Sequence, residues 1–221
     1  MTPSTTSSRL HSPIEDVLAY LPVSGTTEYG RGQTIYGPNH FSQCIYLVVE
    51  GKVGISQIAE DGSEVLLDIV RSEELFGESA FLDAPRRSER ATALEEAKLM
   101  TWAVSEMEEL VTKRPRLALA LLQMLAQRNA EFTCRIESFS LDTIERRLAR
   151  SLIRFSERLG TPEKDGTIRM MPFTHELLSQ YVGTTREIVT QYMVRFRKRG
   201  YVNYSRRGIS LYPDALKAAI S

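Results

Sequence analysis

The sequence has two cysteines, Cys44 and Cys134, and three histidines, His11, His40 and His175. A cysteine-ligated iron–sulfur cluster needs four thiolates and is therefore excluded, and three scattered imidazoles give little support for haem. Each cysteine sits singly in an apolar pattern, which predicts two buried, inert thiols. No apolar run approaches the roughly 20 residues that cross a bilayer. Residues 1–12 are polar and lack the apolar stretch of a secretory signal, so a disordered tail on a cytoplasmic protein with no membrane partner is expected. No metal-ligand cluster, nucleophile–base pair or paired acids can be found, so neither an enzyme nor a covalent or metallic cofactor is expected.

Net charge is also lacking: 28 Lys+Arg stand against 28 Asp+Glu. The balance is nevertheless uneven along the chain. Residues 1–140 hold 13 basic and 20 acidic residues, a net of −7, and residues 141–221 hold 15 and 8, a net of +7. A basic half beside an acidic one predicts that only the C-terminal half meets phosphate backbone.

That half contains the most specific pattern. Leu177, Leu178 and Val182 make one apolar helical face, and Ile188, Val189, Met193 and Phe196 make a second. Gly183, between them, allows the sharp reversal of a helix-turn-helix. The second helix presents Thr185, Arg186, Glu187, Thr190 and Gln191 early on its polar side, where short polar groups reach base edges in the major groove. Two short strand patterns then flank Arg206 and Arg207, forming a wing suited to phosphate.

Upstream, a short helix carrying Ile14, Val17, Leu18 and Leu21 opens at Ser12-Pro13. Short apolar runs punctuated by glycines then continue to about residue 104, with Gly51-Lys52 and Asp61-Gly62 as hairpin signals. This spacing predicts an antiparallel β-roll. Ser105-x-x-Glu108 reads as a capping box, and Pro115 starts a long helix without Gly or Pro. Leu117, Leu121, Leu125, Phe132 and Ile136 fall mainly on one side of it, a candidate dimer seam, while Leu122 and Met124 are candidates to pack on the roll. Asp142 is expected to cap the next helix. The predicted class is α+β: a disordered tail (1–12), a β-roll (13–113), a dimerisation helix and hinge (114–141) and a winged helix-turn-helix (142–221).

The roll carries a second constellation. Gly77 opens a turn whose amides can face an anion. Glu78 offers an acceptor for a sugar hydroxyl, and Arg87 with Ser88 can hold a phosphate. A Glu78–Arg87 surface ion pair is the plain alternative.

On these motifs the chain resembles the cyclic-AMP receptor protein / fumarate-nitrate regulator superfamily of bacterial transcription factors. The resemblance rests on Tyr46-Leu-Val-Val-Glu-Gly51-Lys-Val, on Phe76-Gly-Glu78 through Arg87-Ser88, and on residues 174–197. It implies a jelly-roll cyclic-nucleotide domain in which Glu78 binds the ribose, Arg87 and Ser88 bind the cyclic phosphate, and Gly77 and Ser79 line the cassette. Thr133 or Phe132 on the long helix would meet the base of a cyclic mononucleotide, cyclic AMP or cyclic GMP. It further implies a homodimer on palindromic double-stranded DNA, with Arg186 reading guanine and Glu187 reading cytosine. Gln191 stands where a second base-reading arginine is usual and suits adenine, which predicts a half-site related to but different from TGTGA. Thr174, Thr185, Arg195, Lys198, Arg206 and Arg207 are phosphate candidates, and RNA polymerase would meet the 158–167 loop. Two residues depart from the cassette pattern: Ser79 replaces an aliphatic residue, and Glu89 replaces a small one, a carboxylate that must either point away from a phosphate or pair, for instance with Arg86 or Arg90. A ligand-independent regulator, a cyclic-dinucleotide sensor and a nucleotide-binding module for another protein are the alternatives.

Overall fold

The computed structural model describes residues 15–38, 40–82 and 86–220. The expected 1–12 tail and the Ser12-Pro13 helix start lie outside them. Where that helix was expected to continue there is a single 3-10 turn, Val17–Tyr20, capped by Asp16, whose side chain accepts from the Leu18 amide.

Eight strands follow: β1 (Thr26–Tyr29), β2 (Thr34–Tyr36), β3 (Cys44–Glu50), β4 (Lys52–Ile58), β5 (Glu64–Arg71), β6 (Leu75–Phe76), β7 (Glu89–Ala93) and β8 (Ala97–Ala103). They form two antiparallel sheets, ordered β1-β8-β3-β6 and β2-β7-β4-β5. Val48, Val53, Val70, Phe76, Ala93 and Leu99 close the space between the sheets. β3 is covered on both faces, because Ile45 and Leu47 turn instead toward Trp102, Met107 and Leu117. This explains its unbroken apolar run.

Asp61-Gly62 turns the β4–β5 hairpin as expected. Gly51-Lys52 does not turn a hairpin. β3 pairs with β6 and β8, whereas β4 pairs with β5 and β7, so Gly51 is a corner where the chain changes sheets. Its φ of +86° and a Cβ position 2.2 Å from the Glu96 carbonyl admit only glycine there.

Helix α1 (Val104–Lys113) begins before the expected capping box: the Ala103 amide donates to the Glu106 carboxylate at 2.7 Å. Helix α2 (Pro115–Leu141) starts at proline and runs 27 residues, about 40 Å. Asp142 ends α2 rather than capping α3 (Ile144–Leu159). Thr143 caps α3 through the Arg146 amide, and Asp142 pairs with Arg150 at 2.9 Å.

The C-terminal lobe continues with β9 (Thr161–Pro162), β10 (Ile168–Met170), α4 (His175–Val182), α5 (Arg186–Lys198), β11 (Val202–Ser205), β12 (Gly208–Leu211) and α6 (Pro213–Ile220). Its sheet is ordered β11-β12-β10-β9. Helix α6 has no counterpart among the sequence expectations: it is short and has one fully buried side chain, Leu216, too little periodicity to register. Leu148, Leu152, Phe155, Leu178, Val182, Val189, Met193 and Phe196 form the lobe core, and Leu66 and Ile69 of β5 are buried in the same cluster. The lobe is therefore docked on the roll.

Gly183 ends α4 in the left-handed region with φ +71°, and a Cβ there would lie 2.6 Å from Phe139 Cε1 near the end of α2. Gly183→Ala is expected to lower unfolding free energy by about 1–3 kcal/mol through backbone strain, with further loss from the Phe139 contact. Urea denaturation monitored by circular dichroism measures it.

Candidate nucleic-acid interface and effector cavity

In the C-terminal lobe, the side chains of Thr174 and Thr185 cap α4 and α5, accepting from the amides of Leu177 and Ile188. The cap of α5 is thus Thr185, one residue before Arg186. Arg186, Glu187 and Gln191 are exposed on the first turns of α5. Thr190 is only half-buried and already engaged: its hydroxyl donates to the Arg186 carbonyl and meets His175 Nδ1, both at 2.8 Å. Burial and then the nearby Arg186 charge hold the His175 imidazole below its usual range. Lys198, Arg206 and Arg207 are exposed, the last two at the tip of the β11–β12 hairpin. Arg195 is exposed but shares Glu145 with Arg199.

In the roll, Gly77 adopts φ +87° and starts a 3-10 turn, Glu78–Phe81. The geometry beyond it departs from the sequence expectation. Arg87 is 3% exposed. It donates to the Gly77 carbonyl at 2.7 Å, to Ser79 Oγ at 3.0 Å and to the Cys44 carbonyl, and its guanidinium lies 4.3 Å above the Tyr36 ring. Glu89 pairs neither with Arg86 nor with Arg90. It is buried, with Oε1 3.6 Å from Arg87 Nη1, and accepts from Ser79 (2.5 Å), Ser88 (3.0 Å) and Tyr36 (3.3 Å). Burial pushes the Tyr36 phenol far up, so it remains a donor at any ordinary pH. Glu78 does not pair with Arg87 either; its carboxylate meets Arg128 of α2 at 2.5 Å.

A cavity of about 380 Å³ lies between the roll and α2, lined by Tyr36, Ile55, Phe76, Phe81, Leu125 and Phe132 among others, and by Glu78, Ser79, Ser88 and Glu89. Of the two base-contact candidates, Phe132 lines it. Thr133 does not; it is exposed and bonds back to the Asn129 carbonyl, because one helical residue is a 100° rotation. The same register divides the expected seam. Leu117 is fully buried and Leu121 packs beside it on the roll, whereas Leu125, Phe132 and Ile136 are exposed. Met124 packs on the roll as expected, and Leu122 does not. The thiols also differ from expectation: Cys134 is exposed and Cys44 half-buried.

Arg128 and Arg135, absent from the sequence expectations, and Arg158, expected in a loop, organise the junction. Arg135 of α2 donates to the carbonyls of Leu66 (2.6 Å), Leu67 (2.7 Å) and Tyr181 (2.8 Å), bridging the roll and the end of α4. Arg158 of α3 meets Asp68 (2.7 Å), Glu74 (3.1 Å) and Glu131 (3.4 Å). Burial opposes its charge, but the three carboxylates hold its pKa above the ordinary arginine value. So placed, Arg158 is withdrawn from the loop expected to face RNA polymerase. Arg128 and Arg135 are seven residues apart, one helix face, and that spacing was the available signal.

Removing Arg87 leaves Glu89 buried without a counter-charge. Arg87→Met is expected to cost about 3–5 kcal/mol, and adding Glu89→Leu to recover at least half of it. Equilibrium unfolding of the single and double variants decides this; equal losses would mean that the two residues do not act as a pair.

The comparisons with known proteins agree with both halves. The family model described as "Cyclic nucleotide-binding domain" matches residues 26–114, and "Crp-like helix-turn-helix domain" matches residues 146–219. The chain is 27% identical over 183 residues to the CRP-like cAMP-activated global transcriptional regulator of Mycobacterium tuberculosis, covering 82% of this chain and 81% of that one. It is 31% identical over 157 residues to transcriptional regulator SdrP of Thermus thermophilus, covering 71% and 73%. A solved CRP/FNR-family transcriptional regulator, also from Thermus thermophilus, superposes with a TM-score of 0.69 at 29% identity, covering 89% of this chain and 98% of that one. With a cyclic-nucleotide-binding roll and a Crp-like helix-turn-helix in that order, the chain belongs to the CRP/FNR family of transcriptional regulators.

Proposed function

We propose that the chain is a homodimeric, sequence-specific DNA-binding regulator of transcription, not an enzyme, whose β-roll cavity is its effector site. The observation that carries the DNA reading is the exposed trio Arg186, Glu187 and Gln191 at the start of α5, flanked by Arg206 and Arg207 on the wing. An arginine fork suits guanine, a carboxylate suits cytosine and a carboxamide suits adenine. Thr174, Thr185, Lys198, Arg206 and Arg207 would hold phosphates and set register, with Arg195 joining them on release from Glu145. Its DNA ligand makes the cytoplasm its place of work, with RNA polymerase as a further partner.

The dimer would form along α2. Leu122, Leu125, Phe132, Ile136 and Phe139 are exposed at heptad spacing, with Asn129 at the intervening position. A polar residue at one such position specifies register between two strands of a coiled coil. Two α5 helices then face successive major grooves of a palindrome.

Effector control is supported by Asp68. It lines the cavity on one side and pairs with Arg158 of the DNA lobe on the other. A ligand that moves β5 therefore acts on the contact that orients the lobe, and the shift in population equals its differential affinity for the two arrangements. The family's cyclic-nucleotide domain makes cyclic AMP or cyclic GMP the first effector to consider. The commitment of Arg87 to Glu89 favours a second reading, in which the effector carries no phosphate.

Random duplex pools selected by the protein should yield a palindrome whose half-site contains guanine, cytosine and adenine contacts. Arg186→Ala should weaken binding to it roughly 10- to 100-fold and relax one base position, whereas Arg206→Ala should weaken all sequences alike and reduce the salt slope by about 1. Ile136→Glu should convert the dimer to monomer by sedimentation. A protein that binds no duplex at low salt would sink the regulator reading and favour a module that controls another protein.

A further inference from the structure

Resting on the reading of the β-roll cavity as the effector site, we propose that this cavity takes an uncharged, predominantly apolar small molecule rather than an anion, and that Glu89 is the built-in anion of Arg87.

A phosphate needs a cation that it can reach. Arg87 does not line the cavity. Its side chain is 1% exposed, and Glu89 and Ser79, both of which do line the cavity, are held against it. Its two terminal nitrogens are occupied by the Gly77 and Cys44 carbonyls and Ser79, and its flat face by Tyr36. Both terminal nitrogens are therefore engaged before any ligand arrives, and Nε, though it has no hydrogen-bond partner, is buried away from the cavity wall. Among the described residues that line the cavity the one cation is Arg128, and it is bound to Glu78 and to the Leu75 carbonyl.

The other charges in the wall have the opposite sign. Asp68, Glu78 and Glu89 are carboxylates, each with a guanidinium already beside it: Arg158, Arg128 and Arg87. An entering anion would meet three carboxylates and no unpaired cation. An entering cation would find every carboxylate already neutralised. A neutral ligand meets neither cost, since a low-dielectric site penalises unpaired charge of either sign.

The remaining wall is what such a ligand requires. Tyr36, Ile55, Leu67, Val70 and Phe76 form the floor, while Phe81, Leu82, Leu125 and Phe132 form a rim of exposed apolar side chains. The volume, about 380 Å³, falls in the range of small-molecule sites, and Gln57 and Ser88 offer neutral hydrogen bonds to orient a polar substituent. Because Leu125 and Phe132 also lie on the exposed face of α2, a ligand at the rim touches the helix that carries the proposed seam.

The test uses N-phenyl-1-naphthylamine, an uncharged dye that brightens in apolar surroundings, on the full chain. Saturable binding in the micromolar range is expected, unaffected by 1 mM cyclic AMP or cyclic GMP. Phe81→Asp and Leu82→Asp, both at exposed positions, should each weaken it at least tenfold, whereas Val23→Asp, remote from the cavity, should not. Dye binding that survives both rim substitutions, or the absence of dye binding, overturns the proposal. So does micromolar binding of either cyclic nucleotide by calorimetry. DNA binding by fluorescence anisotropy on the same preparations separates the two claims: its loss alongside normal dye binding would count against the regulator reading and leave the cavity assignment standing.

Discussion

The arrangement of this molecule depends on half-buried guanidinium groups at the junction of three elements. The roll and the C-terminal lobe have their own hydrophobic clusters, and among the described residues Leu66 and Ile69 are the fully buried side chains that carry the lobe cluster into β5. Apolar contact of that extent is non-directional and would tolerate sliding. Arg135 and Arg158 are directional. One bridges carbonyls of β5 and α4, and the other brings together a carboxylate from β5, one from the loop before β6 and one from α2. A buried ion pair adds little net stability over an apolar equivalent, but breaking one is costly, and that asymmetry suits a contact that defines one arrangement among several.

The same physics acts inside the roll with another outcome. Arg87 and Glu89 neutralise one another next to a stack of three aromatic rings, Tyr36, Tyr46 and Phe76, whose centroids are 5.1–6.1 Å apart. A guanidinium in that position needs an anion from somewhere. A cassette with a small residue in place of Glu89 leaves that requirement to a ligand; here the chain meets it. The substitution therefore affects more than local charge. It separates the packing role of Arg87 from any role in recognition, and leaves the cavity beside it with an apolar character.

The fold was legible because its signals are periodic. The two helices about Gly183, the proline at the start of α2 and the Asp61-Gly62 turn all lie where residue type alone places them, since left-handed backbone and helix burial leave few choices. Gly51 was misread because a turn glycine and a corner glycine look alike in sequence; only strand pairing separates them. The site was less legible. Glu89 was visible as a departure, but two arginines flank Arg87, and spacing cannot tell which of the three a buried carboxylate will face. Arg128 and Arg135 were overlooked, and Arg158 was assigned to a surface loop, because solvated arginines are common on helices and a half-buried one is recognised by its acceptors: for Arg135 backbone carbonyls without sequence identity, for Arg128 and Arg158 carboxylates distant in the chain.

Helix α2 joins these separate features through its register. Leu117, Leu121 and Met124 face the roll, Arg128 reaches Glu78 and Arg135 reaches β5, all within one side of the helix. Leu122 and Ile136 look outward, and Leu125 and Phe132 stand at the boundary, lining the cavity while remaining exposed. A rotation of α2 about its axis would move all three sets together. Outward residues would change their partner, boundary residues would change the shape of the cavity, and Arg135 would lose its carbonyls on β5 or α4. An effector need not deform the roll to be felt at α5. It is enough that it binds better to one rotation of α2 than to another, because the side chains that sense the cavity and those that hold the DNA lobe share that helix.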